Sequence, residues 1–258
     1  MDITHNQIDL DSQMSAIDMT SNIENPKYKL LNLKVKEQTE CLSFDSDVIS
    51  IVVICGILNV EIHDNITSSY SELEGFHIKS DLKRIKITGQ NNCEILIGST
   101  ADLKISTNEN KEKLTDEILD FSNYKVSKPW GWEIWYSQNI GNTPYALKNI
   151  HMEKGFQSSL QSHKFKSETN IVVEGEAEVL YGKQAPSDET ESIDLATLNR
   201  KIYKKFDGWS NKVNELHRVI AYTTYDAIEI STPELDDVIR WADDNNRQSG
   251  HIDSEHSS

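Results

Sequence analysis

The 258-residue chain carries 26 lysines and arginines against 42 aspartates and glutamates, a formal charge of −16, and 37% of its residues are hydrophobic. A field of that sign repels nucleic acid and anionic membranes, so neither is expected as a partner, while a locally basic pocket leaves a small anionic substrate open. Three scattered cysteines (Cys41, Cys55, Cys93), no secretory signal pattern and no apolar run of transmembrane length lead to the expectation of a cytoplasmic protein without a disulfide framework.

Residues 1–26 are polar, acidic and weakly periodic, which predicts a flexible N-terminal arm. From Tyr28 the texture changes to short β-type runs: YKLLNLKV, then VISIVVICGILNVEIHD, then RIKIT and CEILIG around a Gly-Gln-Asn-Asn turn. Short alternating runs between turn residues predict an all-β sandwich or barrel, with a first domain over 27–107. In the segment 108–124, Leu114, Ile118 and Phe121 follow an i, i+4, i+7 pattern on a charged background, which predicts an amphipathic linker helix.

The β texture resumes over 125–247, with the acidic, turn-rich stretch between Gly182 and Lys201 expected as a surface insertion in a hairpin. Near the end, Leu235, Val238, Ile239 and Ala242 fall at i, i+3, i+4, i+7 after Pro233, predicting a short C-terminal helix before a polar, frayed tail over 248–258. The two β segments repeat one plan, a strand reaching a central glycine and a later strand ending near an acidic residue, as a duplicated barrel would.

Chemistry concentrates in GFQSSLQSHKFKSETNIVVEG, Gly155–Gly175. Residues two apart on a strand share a face, so Gln161 and His163 project together. Glu168 has the wrong parity for the same face, and a turn in KFKS must bring it back from an adjoining strand. His217, at the head of the strand in LHRVI, is a fourth candidate. Two imidazoles and two oxygen donors suit a divalent ion such as Zn, Mn, Fe, Co or Ni with positions left open. The same residues also fit solvated strand and turn positions with two hydrogen-bonded histidines.

Gly155-x5-Gln161-x-His163-x4-Glu168-x6-Gly175 resembles the first signature of the cupin superfamily, with Gln in place of the first of two histidines. That substitution, with KPWGWE (Lys128–Glu133), YALKNIHMEKG, LHRVI and IEISTPELDDVIRWADDNNR in order, resembles the C-terminal cupin domain of type II phosphomannose isomerases. The resemblance implies two jelly-roll β-barrel domains, a bicupin, with Gln161, His163, Glu168 and His217 as metal ligands in the second. The corresponding N-terminal strand, SDVISIVVICG, holds no His or Gln, so that domain is expected to be a degenerate cupin that covers a sheet or supports a homodimer.

By the same resemblance the chain would be a metal-dependent aldose–ketose isomerase or epimerase acting on a sugar phosphate. Such a reaction needs a cation to polarise a carbonyl, groups that move a proton, and a positive grip on phosphate. Lys148, Glu133 and Arg247 are the candidate catalytic residues, and Tyr145, Lys166 and Arg218 the candidate substrate-binding ones. The lysines also fit solvated surface charges. Trp130, Trp132 and Trp135 read as packing residues. The isomerase pattern H-x-x-R-x-E-H-W is HKFKSETN here, so Lys166 stands for an arginine and Thr169 and Asn170 for His and Trp. A lysine lacks the arginine fork, and threonine is no base. Two other expectations therefore stand beside the first. One is a metal cupin lyase or dioxygenase on a small anion; the other is a non-catalytic carbohydrate-binding cupin.

Overall fold

The computed structural model describes residues 2–10, 14–107 and 113–256. It is built of strands, and the helical turns among the described residues are 3-10 turns of three or four residues. The chain divides into two compact units, Thr4–Phe121 and a second made of Ser122–Ser258 with Met1–Ile3.

In the first unit the long strands Ile49–Glu61 and Arg84–Thr100 pair antiparallel along most of their length. Their register shifts near Gly56, whose φ of +74° suits a residue without a side chain at that irregularity. Leu33, Leu42, Ile51, Val53, Phe76 and Ile95 fill the interior of this unit with aliphatic and aromatic side chains. The expected N-terminal arm is a correction: Asn6–Asp9 and Ser15–Asp18 form a hairpin that extends the sheet through Tyr28–Lys34. Alternation is visible there, since Ala16 and Asp18 are buried while Ser15 is exposed.

Among the described residues of 108–124 the expected linker helix does not form. Residues 108–112 lie outside the described residues, and from Lys113 onward the chain is extended. Thr115 takes an amide hydrogen bond from His63 and donates its own to Arg84, and Leu119–Asp120 pairs with Gly75–Ile78. Leu114 and Phe121 are buried by lying along sheet edges, which uses the apolar residues as well as a helical stripe would.

The second unit has two sheets. One holds Tyr124–Lys128, Gly131–Trp135, Ala146–Met152, Tyr225–Ser231, Glu168–Glu174 and Gly208–Asn211, in that spatial order. The other holds Asn199–Lys204, Glu176–Gln184, Glu215–Ala221, Leu160–Ser162 and Ile239–Ala242. Met152, Val172, Trp209 and Ala227 from the first meet Ala177, Val179, Tyr203 and Ala221 from the second in one core, so the sheets pack face to face. Gly175 (φ +78°) turns the chain from one sheet into the other. The acidic stretch after Gly182 is the loop of the hairpin between Glu176–Gln184 and Asn199–Lys204.

The C-terminal helix is replaced by the strand Ile239–Ala242, which pairs with Leu160–Ser162 at the sheet edge. Trp241 joins the apolar cluster of Leu160, Leu180, Leu198 and Leu216, and its Nε1 donates to Ser162 Oγ at 2.9 Å. An unpaired edge next to a segment of suitable apolarity is satisfied by strand addition.

Candidate metal centre and anion cavity

The second unit encloses a cavity of about 110 Å³ between its sheets. Gln161 and His217 sit opposite each other on paired strands of one sheet, and His163 follows two residues after Gln161. Glu168 opens a strand of the other sheet, and the loop Lys164–Ser167 carries the chain across. The expected turn in KFKS is therefore real, and it brings Glu168 to the two histidines despite the parity. Asp237 pins this loop: its carboxylate accepts the backbone N–H groups of Lys164, Phe165 and Lys166. Those three bonds hold it ionised below the usual carboxylate range, although burial opposes this.

The candidate ligand atoms of His163, Glu168 and His217 lie within 4.8 Å of one another, and all three residues are buried. His163 Nδ1 faces the carbonyl of Asp237, and His217 Nδ1 faces the carbonyl of Glu215 at 3.1 Å. A carbonyl only accepts, so each Nδ1 carries the proton and each Nε2 presents a lone pair. Those two Nε2 atoms point at Glu168, at 3.6 Å from Oε2 and 3.2 Å from Oε1. His163 Nε2 is buried and has no hydrogen-bond partner. Burial, together with the Lys166 ammonium, lowers the His163 pKa to about 3, which keeps the ring neutral.

An orphaned imidazole nitrogen, a second one facing the same carboxylate, and carbonyls that fix both tautomers are what a divalent transition ion requires. Gln161 lies at the edge of the cluster, with its amide nitrogen 3.1 Å from His217 Nε2 and its oxygen accepting from Ser159 Oγ. Turning that amide over would present the oxygen as a fourth donor. The donor set fits a metal ion.

Beside the cluster lies a cation already in place. Lys166 Nζ is 2.7 Å from Glu168 Oε2 and 2.9 Å from Glu229 Oε1. From there charges alternate through the unit. Glu229 contacts Lys148 at 3.3 Å, Lys148 contacts Glu133 at 2.9 Å, and Glu133 faces Lys128 at 3.6 Å. Lys128 reaches Glu255 at 2.7 Å, Glu255 meets Arg247 at 3.1 Å, and Arg247 closes on Asp243 at 2.7 Å. Burial disfavours the Glu133 carboxylate, but the Lys148 and Lys128 ammoniums overcome this and lower its pKa to about 2. Among the described residues lining the cavity, Lys128, Lys148, Lys166, Arg240 and Arg247 outnumber Glu133, Glu168, Glu229 and Glu255. A protein of charge −16 thus carries a cavity with a cationic excess.

The structure gathers Gln161, His163, Glu168, His217, Lys148, Glu133, Lys166 and Arg247 around this cavity. It does not bring Tyr145 or Arg218 there. Tyr145 is fully buried away from it, and Arg218, adjacent to His217 on one strand, points to the opposite face. Its guanidinium donates to the Ala242 carbonyl at 3.0 Å and approaches Asp244. The lysines are buried or partly buried ion-pair members rather than surface charges. Trp130 packs in the core, as expected of the tryptophans. Trp132 stacks on His151 at 4.4 Å, and Trp135 lines the cavity and donates to Glu133 Oε2 at 2.8 Å.

Sequence reasoning missed Glu229, Asp237, Lys128, Arg240 and Glu255. Glu229 shares strand parity with Tyr225 and Ala227, so a charged residue in an apolar inward series was its signal. Thr169 and Asn170 do not supply the isomerase His and Trp functions: Thr169 bonds Ser210 at 2.8 Å, and Asn170 faces Glu168. In the polar tail, Gly250, His251, Ile252, Glu255 and His256 form part of the cavity wall, while residues 257–258 lie outside the described ones.

Solved structures that share the fold include oxalate decarboxylases, proteins of cupin fold. The formate complex of the Lactobacillus farciminis enzyme superposes with a TM-score of 0.67 at 10% identity, covering 92% of this chain and 86% of that one. A Bacillus subtilis deletion mutant gives 0.63 at 13% identity over 88% and 74%. B. subtilis oxalate decarboxylase, in a structure addressing its Mn(II) centres, gives 0.60 at 11% over 98% and 76%. No family model matches the sequence, and no curated protein matches it. The chain therefore has the all-β cupin jelly-roll fold, with a cluster suited to a divalent transition metal. No helix among the described residues is long and apolar enough to cross a membrane.

Proposed function

We propose that this chain is a metal-dependent cupin that acts on a small organic anion, with a carboxylate as the group recognised. The observation that carries this reading is the buried, unpartnered Nε2 of His163, facing Glu168 and His217 in a cavity with more cations than carboxylates. His163, Glu168 and His217 would hold the metal, with Gln161 as a fourth donor. Bound there, the ion would serve as a Lewis acid on a substrate oxygen.

The chain's own residues supply the rest. Lys166 and Lys148, each fixed between two carboxylates, present ammoniums beside the cluster that orient an anion. Glu133, ionised and hydrogen-bonded by Trp135 and Lys148, holds the Lys148 ammonium in position beside the cavity. Trp130, Met152, Val219 and Tyr225 line the apolar part of the cavity and exclude water. The volume, about 110 Å³, suits a molecule of a few heavy atoms, since a 150 Å³ cavity is enough for benzene. Oxalate, the substrate that the structural neighbours' names give, belongs to that class. The sugar-phosphate isomerase expectation is the poorer fit, because a cavity of about 110 Å³ is small for a hexose phosphate.

We further read the first unit as a metal-free cupin; the coverage of 88–98% of this chain by the neighbours supports a two-domain arrangement. The test is calorimetry on metal-loaded protein with oxalate, formate and a hexose phosphate. Saturable binding of the small carboxylates and none of the hexose phosphate is expected. Binding of the hexose phosphate alone would overturn the reading.

A further inference from the structure

Glu255 occupies the outer end of the cavity in an unusual way for a residue near the end of the described chain. It is 9% exposed, and each carboxylate oxygen meets its own cation. Oε2 accepts from Lys128 Nζ at 2.7 Å and Oε1 from Arg247 at 3.1 Å. Both cations come from the body of the unit: Lys128 ends the strand Tyr124–Lys128, and Arg247 is fixed by Asp243 through Nε (2.9 Å) and Nη2 (2.7 Å). All three line the cavity that holds the metal cluster.

The segment that delivers Glu255 is a short 3-10 turn, Asp253–Glu255, and belongs to neither sheet. The amides of Glu255 and His256 donate within the segment, to Ile252 and Asp253. Otherwise Glu255 is held by its two ion pairs, and His256 by the Tyr124 hydroxyl, which lies 3.1 Å from its Nδ1 and donates to its carbonyl at 3.4 Å, and by ring contacts with Trp135 (5.3 Å, edge-on), Tyr124 and His251. A carboxylate in this position can be released without breaking a sheet.

We propose that Lys128 and Arg247 form a carboxylate-binding subsite of the cavity, and that Glu255 is a built-in occupant which a small free carboxylate displaces. The proposal deepens the small-anion reading above and rests on it for the class of ligand. It makes residues 251–256 a self-inhibitory cover. Displacing Glu255 frees His256 from Trp135, so that subsite occupancy has an optical signal.

The test uses metal-free protein, so that it stands apart from the metal reading. Acetate is titrated into the wild type and into Glu255→Ala, with calorimetry and tryptophan fluorescence as readouts. The variant is expected to bind one acetate at least tenfold more tightly than the wild type, and Lys128→Met added to it should abolish binding. In the wild type, acetate should change tryptophan emission saturably. Should Glu255→Ala fail to fold, hydrogen exchange of residues 253–256 in the wild type decides: faster exchange with acetate supports displacement, and unchanged exchange overturns it. Equal affinities in the variant and the wild type, or binding that survives Lys128→Met, would also overturn it. Loss of the subsite with intact metal binding would leave the metal centre standing.

Discussion

Lys166 Nζ lies 2.7 Å from Glu168 Oε2, so the carboxylate best placed to bind a metal already has a buried cation against it. The ammonium is 6% exposed and the carboxylate 4%, and each holds the other charged: burial opposes ionisation of both, yet the Lys166 pKa is raised and the Glu168 pKa lowered. An incoming metal competes with Lys166 for Oε2 while Oε1 keeps the hydrogen bond from Asn211 Nδ2. Lys166→Met removes the competitor and leaves Glu168 and Glu229 as buried carboxylates with one cation fewer. Breaking such a pair costs about 3–5 kcal/mol. The metal-free variant should melt about 10 °C below the wild type. Metal should then raise its melting temperature more than it raises that of the wild type. Equal metal-induced shifts in calorimetry would contradict the competition.

Glu133 sets a limit in acid. Its folded-state pKa, about 2, lies below the ordinary 4.5 because the Lys148 and Lys128 ammoniums outweigh its burial. A depressed carboxylate stabilises fully above the unfolded value and loses that contribution as the pH falls through the folded one. The window is thus from about pH 4.5 down to pH 2, with roughly 3 kcal/mol at stake. Urea unfolding of wild type and Glu133→Gln should differ most near pH 6, and the gap should narrow by about 2 kcal/mol at pH 3. A gap independent of pH would refute the assignment.

Asp237 acts on the site through the loop it holds. Replacing it by alanine removes the acceptor of three backbone N–H groups and should cost about 2 kcal/mol or more. Its backbone carbonyl still faces His163, so the ring keeps its tautomer while the loop loosens. Metal affinity should fall about 10- to 100-fold, as for other supports of metal ligands. Calorimetry with Mn²⁺ or Zn²⁺ measures this, and unchanged affinity would show that the loop is held by other means.

Gly175 carries a purely conformational prediction. Its φ is +78°, and a Cβ there would meet the Thr224 carbonyl oxygen at 2.0 Å. Gly175→Ala should lower stability by more than about 2 kcal/mol without altering the charge of the cavity. Chemical denaturation checks it.

The strands and the shared face of Gln161 and His163 were legible because both follow a period of two, whereas Glu168 arrives through the turn in KFKS. Gln161 and His163 share a face, and Gly175 and Asn214 (φ +60°) turn the chain as their residue types allow. The helices misread in the described part of 108–124 and over 231–246 show the limit of short periodic stretches. Leu114 and Phe121, or Ile239 and Ala242, satisfy a helical stripe and a sheet edge alike, and the edge decides. Arg218 was misplaced although the same parity rule that aims His217 inward sends its neighbour outward. The alternating ladder from Glu168 to Asp243 was invisible, because its members come from strands and loops far apart in sequence, joined by register and not by spacing.

Metal content of purified, tag-free protein by elemental mass spectrometry, beside a His163→Ala, His217→Ala double variant, tests the account most directly. Near one equivalent of a divalent transition metal per chain in the wild type, absent from the variant, is the predicted result. No metal in either protein, even after incubation with Mn²⁺, Fe²⁺ or Zn²⁺, would contradict it. Lys166 would then be the resident cation of a cavity that works without a metal.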